Sequence, residues 1–207
     1  MSVRVKICGV TRVEDAIAAV DAGADLIGLN FYAKSPRHLG LERALEITRA
    51  MERRAKLVGV FVYPTHDLVA QVHRTLALDF VQLYDDDAET AVRDIPVPVI
   101  RALRLKPGTS ADEFGGLLRQ THAEYVLLDT YDPNLHGGTG KPLNLGDLAR
   151  LDLSRAFIAG GLTPDTVGEA ARLGPYGVDV ASGVESAPGV KDHHKLRSFI
   201  RNAKFSQ

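Results

Sequence analysis

The sequence predicts an α/β chain, a single-domain (β/α)8 TIM barrel over residues 1–207. Three observations predict it. Strand-like apolar runs alternate with helix-like runs about eight times, which implies a parallel sheet with right-handed crossovers. Eight such units with short connections most simply close on themselves. The chain of 207 residues suits one domain and falls below the ~250 residues typical of such barrels, which leaves little room for insertions. The alternative is an open doubly wound sheet. Its dinucleotide-binding version is disfavoured, because no Gly-x-Gly-x-x-Gly follows the first strand.

The elements follow in order. Val3, Val5 and Ile7 are β-branched and separated by basic residues, so the chain opens on a strand. Cys8 ends it and Gly9 turns the chain. Thr11 stands where a helix cap belongs, with Glu14 completing a capping-box spacing. Val13, Ala16, Ile17 and Val20 recur at helical spacing through Ala22, and Gly23 sits just past the helix end. Leu26 to Phe31 reads as a buried strand, Lys34 to His38 as a loop stiffened by Pro36. The alternation continues with a helix over Glu42 to Met51, a strand over Leu57 to Val62, a helix over Asp67 to Leu76 and a strand over Phe80 to Leu83. A short helix is expected over Ala88 to Asp94 and a strand over Val99 to Leu103. Pro107-Gly108 forces a loop before a helix over Ala111 to Gln120. Tyr125 to Asp129 is an apolar strand ending in a carboxylate. A long loop to Pro142 follows it, then a weak helix over Leu145 to Leu151. Ala156 to Ala159, Pro164 to Leu173, Gly177 to Val180 and Lys191 to Asn202 complete the alternation.

Composition narrows the function classes. A net charge of −1, with no basic block, points to neither nucleic acid nor an anionic membrane. No apolar run is long enough to span a bilayer, and the N-terminal residues carry no signal-peptide pattern. One cysteine cannot form an internal disulfide and fits a reducing compartment. The expectation is a cytoplasmic protein acting on a small molecule.

In a barrel, chemistry is expected at the carboxyl ends of the strands. Cys8, Arg37 and Asp129 reach that rim from distant parts of the sequence, and glycine-rich segments accompany them: Gly137 to Gly140, Gly160-Gly161 and Ser182-Gly183. Singly, each has a plainer reading. A lone cysteine is usually a small buried hydrophobe, Arg37 a solvated loop charge, Asp129 a turn cap, Gly137 to Gly140 a flexible loop. Their coincidence at one rim outweighs those readings. Glycines after the seventh and eighth strands let backbone N–H groups approach a phosphate, where barrels of this class often bind one.

Lys6-Ile7-Cys8-Gly9, Ser35-Pro36-Arg37, Gly59 to Val62, Gly137-Gly138-Thr139-Gly140, Ala159-Gly160-Gly161-Leu162 and Gly177 to Glu185, with Pro188-Gly189 and Lys191-Asp192, together resemble the phosphoribosylanthranilate isomerases of tryptophan biosynthesis. The resemblance runs from the first strand to the last helix. It implies a cofactor-free, metal-free enzyme performing an Amadori rearrangement on a phosphorylated substrate, as a monomer or homodimer. It puts the base at Cys8, the acid at Asp129 and the grip on the anthranilate carboxylate at Arg37. Gly138, Gly160, Gly161, Ser182 and Gly183 fall on the substrate-binding loops. The chain departs from the family at Tyr84-Asp85, which replaces His-Gly, at Asn30, and at Leu143-Asn144-Leu145.

The residue types suit this chemistry. An acid protonates the sugar ring oxygen, which opens the ring to an iminium. A base then removes the proton on the neighbouring carbon. Asp129 needs a raised pKa to act as the acid, because an ordinary aspartate is ionised at neutral pH. Cys8 needs activation, for which the helix start after Gly9 and Lys6 are candidates, although alternation along the strand can also point Lys6 elsewhere. Two other readings compete. One is a histidine-pathway aminoaldose isomerase, which would want an aspartate at position 8. The other is a non-catalytic phosphate-binding barrel, for which Tyr84-Asp85 is the best support.

Overall fold

Eight parallel strands close into a barrel in the computed structural model, which describes residues 3–84, 95–105, 111–130 and 145–205. They are β1 (Arg4–Cys8), β2 (Leu26–Asn30), β3 (Lys56–Val62), β4 (Phe80–Tyr84), β5 (Val99–Leu105), β6 (Tyr125–Thr130), β7 (Ala156–Ile158) and β8 (Gly177–Val180). Closure comes from β8 pairing back onto β1, with Arg4, Val5, Lys6 and Ile7 opposite Gly177, Val178, Asp179 and Val180. Helices Val13–Asp21, Leu41–Ala50, His66–Leu76, Ala111–Gln120, Leu145–Leu148, Val167–Arg172 and His193–Phe205 lie along the chain between and after the strands. The helix expected over Ala88 to Asp94, the Pro107-Gly108 loop and the Gly137 to Gly140 segment lie outside the described residues.

Strand alternation divides the core in two. Val5, Ile7, Ile27, Leu29 and Phe61 join helix residues such as Ala16, Ile47 and Phe199 in one buried layer. Leu26, Val58, Val60, Phe80, Ile100, Leu127 and Phe157 form the other cluster, within the barrel. At the amino-terminal end an aromatic floor closes the interior. Arg4 lies 4.3 Å above the Tyr176 ring, which also meets Tyr125 and Phe157. No helix among the described residues is long and apolar enough to cross a membrane.

Two expectations need correction. Thr11 does not cap the first helix. Arg12 is the N-cap residue and makes no side-chain cap bond, while the Thr11 hydroxyl donates to Gly189 O at 2.6 Å. A partner 178 residues away outcompetes the local amide, and Glu14 pairs with Arg12 instead. The last helix begins at His193 rather than Lys191, because β9 (Glu185–Ala187) and β10 (Val190–Lys191) form a small antiparallel pair before it. The remaining boundaries differ by small amounts. The one that matters for the site is β4, which extends to Tyr84.

Candidate active site

A cavity of about 320 Å³ opens at the carboxyl ends of the strands, a size that suits a small ligand. Of the residues expected to form a site, Cys8, Arg37, Asp129, Gly160, Gly161, Ser182 and Gly183 all line it. Gly138 lies outside the described residues.

Cys8 sits at the end of β1 opposite Gly28 of β2. Two residues earlier on the same face, Lys6 is wholly buried and donates to Asp179 Oδ1 at 2.7 Å. Strand register makes this pair, since Lys6 and Asp179 are direct partners across the β1–β8 seam. A Cβ on Gly28 would lie 3.1 Å from both Cys8 Sγ and Lys6 Nζ, so thiol and ammonium both pack over the bare backbone of Gly28. Burial pushes the Cys8 thiol above its ordinary pKa. Lys6 and Lys191 offset part of that rise, Asp179 adds to it, and the net shift is upward. Burial also works against the charge on Lys6, but Asp179 and Cys8 outweigh it and leave the ammonium more basic than an ordinary lysine.

Asp129 ends up 2 % exposed near the end of β6. The Tyr84 hydroxyl, from β4, donates to its Oδ2 at 3.2 Å. Burial, then the nearby Asp129 carboxylate, push the Tyr84 phenol well above its usual range, so it stays a donor. The residue at the family's histidine position therefore still contacts the candidate acid.

Arg37 reaches the pocket but is not a loose loop charge. Its Nε and Nη2 donate to the two oxygens of Glu185 at 2.8 and 2.7 Å, a bidentate pair. Lys191 Nζ donates to the same carboxylate at 2.8 Å, and to Cys8 O at 2.7 Å and Ala181 O at 3.1 Å. All three ammonium protons are thus used to tie the ends of β1 and β8 to Glu185. Gly9, at φ +68°, makes room for Arg37: a Cβ there would come within 2.3 Å of Arg37 Cδ. Asn30 explains its own departure from the family pattern. It donates to Ser35 Oγ and accepts from Tyr32 N, while Ser35 Oγ accepts from Arg37 N, so it braces the loop that carries the arginine.

The loops after β7 and β8 meet across the cavity. Gly160 and Gly161 adopt positive φ in succession (78° and 68°). Gly183 lies in the short 3-10 turn Ser182–Val184, packed so closely that a Cβ would fall 1.9 Å from Leu162 O. Two neighbouring backbone segments, with little side chain between them, suit an anion of phosphate size.

Sequence reasoning missed Asp179, Glu185 and the part played by Lys191. Asp179 and Lys6 did carry a signal. Each is a charge inside an otherwise apolar strand, and closure of the barrel makes the first and last strands neighbours. Nothing local marks Glu185 as the partner of Arg37, 148 residues away.

Known proteins of this shape give the site its context. The family model described as N-(5'phosphoribosyl)anthranilate (PRA) isomerase matches residues 5–202. The N-(5'-phosphoribosyl)anthranilate isomerase of Trichlorobacter lovleyi is 45% identical over 206 residues, covering 98% of each chain. Among solved structures, a phosphoribosylanthranilate isomerase in complex with reduced 1-(o-carboxyphenylamino)-1-deoxyribulose 5-phosphate superposes with a TM-score of 0.80 at 35% identity, over 98% of both chains. Monomers generated from the dimeric enzyme of Thermotoga maritima superpose with a TM-score of 0.79 at 34% identity, over 98% of this chain and 99% of that one. Fold and sequence agree along nearly the whole length, and the chain belongs to the N-(5'-phosphoribosyl)anthranilate isomerase family of tryptophan biosynthesis.

Proposed function

We propose that the pocket performs the family's aldose–ketose rearrangement with Asp129 as general acid and Cys8 as general base, residues 1–207 acting as one catalytic unit. The supporting observation is that a buried carboxyl and a half-buried thiol, 121 positions apart in the sequence, line one cavity with an arginine and two glycine-rich backbone segments. Asp129 gives its proton to the furanose ring oxygen, and the nitrogen lone pair completes a C1=N iminium as the ring C–O bond breaks. Cys8 Sγ then takes the proton from C2. The C2–H electrons form a C1=C2 double bond, and the iminium nitrogen recovers its lone pair. The resulting enolamine tautomerises to the ketone. The working form therefore has its proton on Asp129 and a thiolate at Cys8.

Arg37, oriented by Glu185, takes the anthranilate carboxylate on donors not engaged by Glu185. The amides around Gly160, Gly161, Ser182 and Gly183 take the phosphate, with Gly138 contributing from the loop after β6. The substrate is a small phosphorylated molecule. The relative described as dimeric supports a homodimer here over a monomer, and the absence of a membrane-crossing helix among the described residues fits a cytoplasmic enzyme.

Turnover of N-(5-phosphoribosyl)anthranilate by the purified chain is the direct test, paired with a phosphate soak of its crystals. Substrate is expected to be converted, and the anion is expected between the loops after β7 and β8. A folded chain without turnover, or an anion bound reproducibly at the amino-terminal end of the barrel, would refute the reading.

A further inference from the structure

A buried lysine is costly to keep charged unless its surroundings compensate it. Lys6 is wholly buried, and its contact with Asp179 is to one oxygen, Oδ1. A lysine that served only to neutralise Asp179 would have no reason to lie beside the thiol. Here Lys6 and Cys8 share one face of β1, and the residue opposite Cys8 is a glycine whose missing side chain leaves a space that both Nζ and Sγ border, each 3.1 Å from where a Cβ would stand.

We propose that Lys6 is the positioning residue for the base: its ammonium is shared between Asp179 and Cys8 and holds the thiolate form of Cys8 ready for proton abstraction. This rests on the reading of Cys8 as the base, and deepens it. The other charged or titratable groups that face Cys8 have commitments of their own. Lys191 spends its donors on Cys8 O, Ala181 O and Glu185. Arg37 is engaged by Glu185 through two bonds. Tyr84 donates to Asp129, which shares the pocket. Asp179 competes with the thiolate for Lys6, and so acts against the base.

That competition gives the proposal two arms of opposite sign. In Lys6→Met the thiolate loses its cation. In Asp179→Asn the thiolate becomes the principal counter-ion of Lys6. The chain contains one cysteine, so alkylation of the full-length protein by iodoacetamide reports Cys8 alone, and its rate follows the thiolate fraction. The midpoint of the rate–pH profile should rise by about one unit or more in Lys6→Met and fall by about one unit or more in Asp179→Asn, the size of a neighbouring-charge effect. Gly28→Ala, which puts a methyl against both Nζ and Sγ without altering any charge, should also raise it. Circular dichroism checks that each variant is folded; if Lys6→Met is not, Asp179→Asn and Gly28→Ala carry the test. A midpoint that stays put in folded Lys6→Met, or that stays put or rises in Asp179→Asn, overturns the proposal. Turnover by Cys8→Ala decides separately whether Cys8 is the base, so the two failures are distinguishable.

Discussion

The two sides of the pocket are built differently. Around Cys8 the partners are ionic: Lys6, Lys191 and Arg37 face Asp179 and Glu185, three cations against two carboxylates joined by bonds of 2.7–2.8 Å. Near Asp129, Tyr84 contributes a neutral donor at 3.2 Å. The contrast fits the roles proposed for the two groups, Cys8 as base and Asp129 as acid. A thiolate is an anion and gains from an excess of positive charge. A carboxylic acid must keep its proton until the ring oxygen takes it, and a neutral hydroxyl orients it with less pull toward ionisation than a cation would exert.

The largest effects should come from removing the two groups at the centre of each side. Cys8→Ala and Asp129→Asn are each expected to lose ~10²–10⁴-fold in turnover, and Cys8→Ser should not recover it. Asp129→Asn should still bind a non-reactive product analogue. Near-wild-type kinetics in either folded variant would erase the distinction between the two sides.

Next is the edge of the ionic side. Arg37→Ala is expected to cost ~2–5 kcal/mol in binding a carboxylate-bearing product analogue, and almost nothing for the analogue built on aniline. Arg37→Lys should remain clearly impaired, since the planar fork is lost. Calorimetry with both ligands on both proteins closes the cycle, and a coupling energy near zero would remove Arg37 from carboxylate recognition.

Glu185 tests whether this side also holds the fold. Burial works against its charge, but the Arg37 hydrogen bonds and Lys191 outweigh it and hold the carboxyl below its ordinary value of 4.5. A depressed carboxyl stabilises the folded chain above the unfolded-state pKa, and that contribution is lost as pH falls through the folded-state value. Glu185→Gln should cost about 1–3 kcal/mol at neutral pH, where charged partners lose an acceptor. It should also flatten part of the stability loss below the unfolded-state pKa. Denaturant unfolding at a series of pH values measures both, and an unchanged acid limb would count against the network.

The smallest effect is expected on the neutral side. Tyr84→Phe keeps the ring and deletes one hydrogen bond, worth about 0.5–1.5 kcal/mol, so kcat should fall a few-fold with little change in KM. A Tyr84→Phe loss as large as that of Asp129→Asn would make the phenol a proton donor in its own right.

The barrel was legible because its strands are short apolar runs at regular intervals, and Cys8, Asp129 and Arg37 because they stand at the carboxyl ends of such runs or in the loop beyond one. What stayed hidden depends on register and closure. Lys6 meets Asp179 because β8 pairs with β1, and the Thr11 hydroxyl leaves its expected cap for Gly189 O because the same closure brings residue 189 to it. Tyr84 was legible as a departure from the family, while its bond to Asp129 needed the curvature that brings β4 and β6 across the barrel mouth.

The contact between Gly183 and Leu162 O bears on how this enzyme can change. On the proposed reading, recognition at the carboxylate end rests on side chains such as Arg37 and Glu185, which point mutations can exchange singly. At the phosphate end the spacing is set by main chain against main chain, with no room for even a methyl group on Gly183. A lineage or a design campaign seeking new substrates therefore has many single steps open to it at the aromatic end. At the phosphate end each step requires two loops to shift together, so new substrates are expected to keep the phosphate and vary the group carried at the other end.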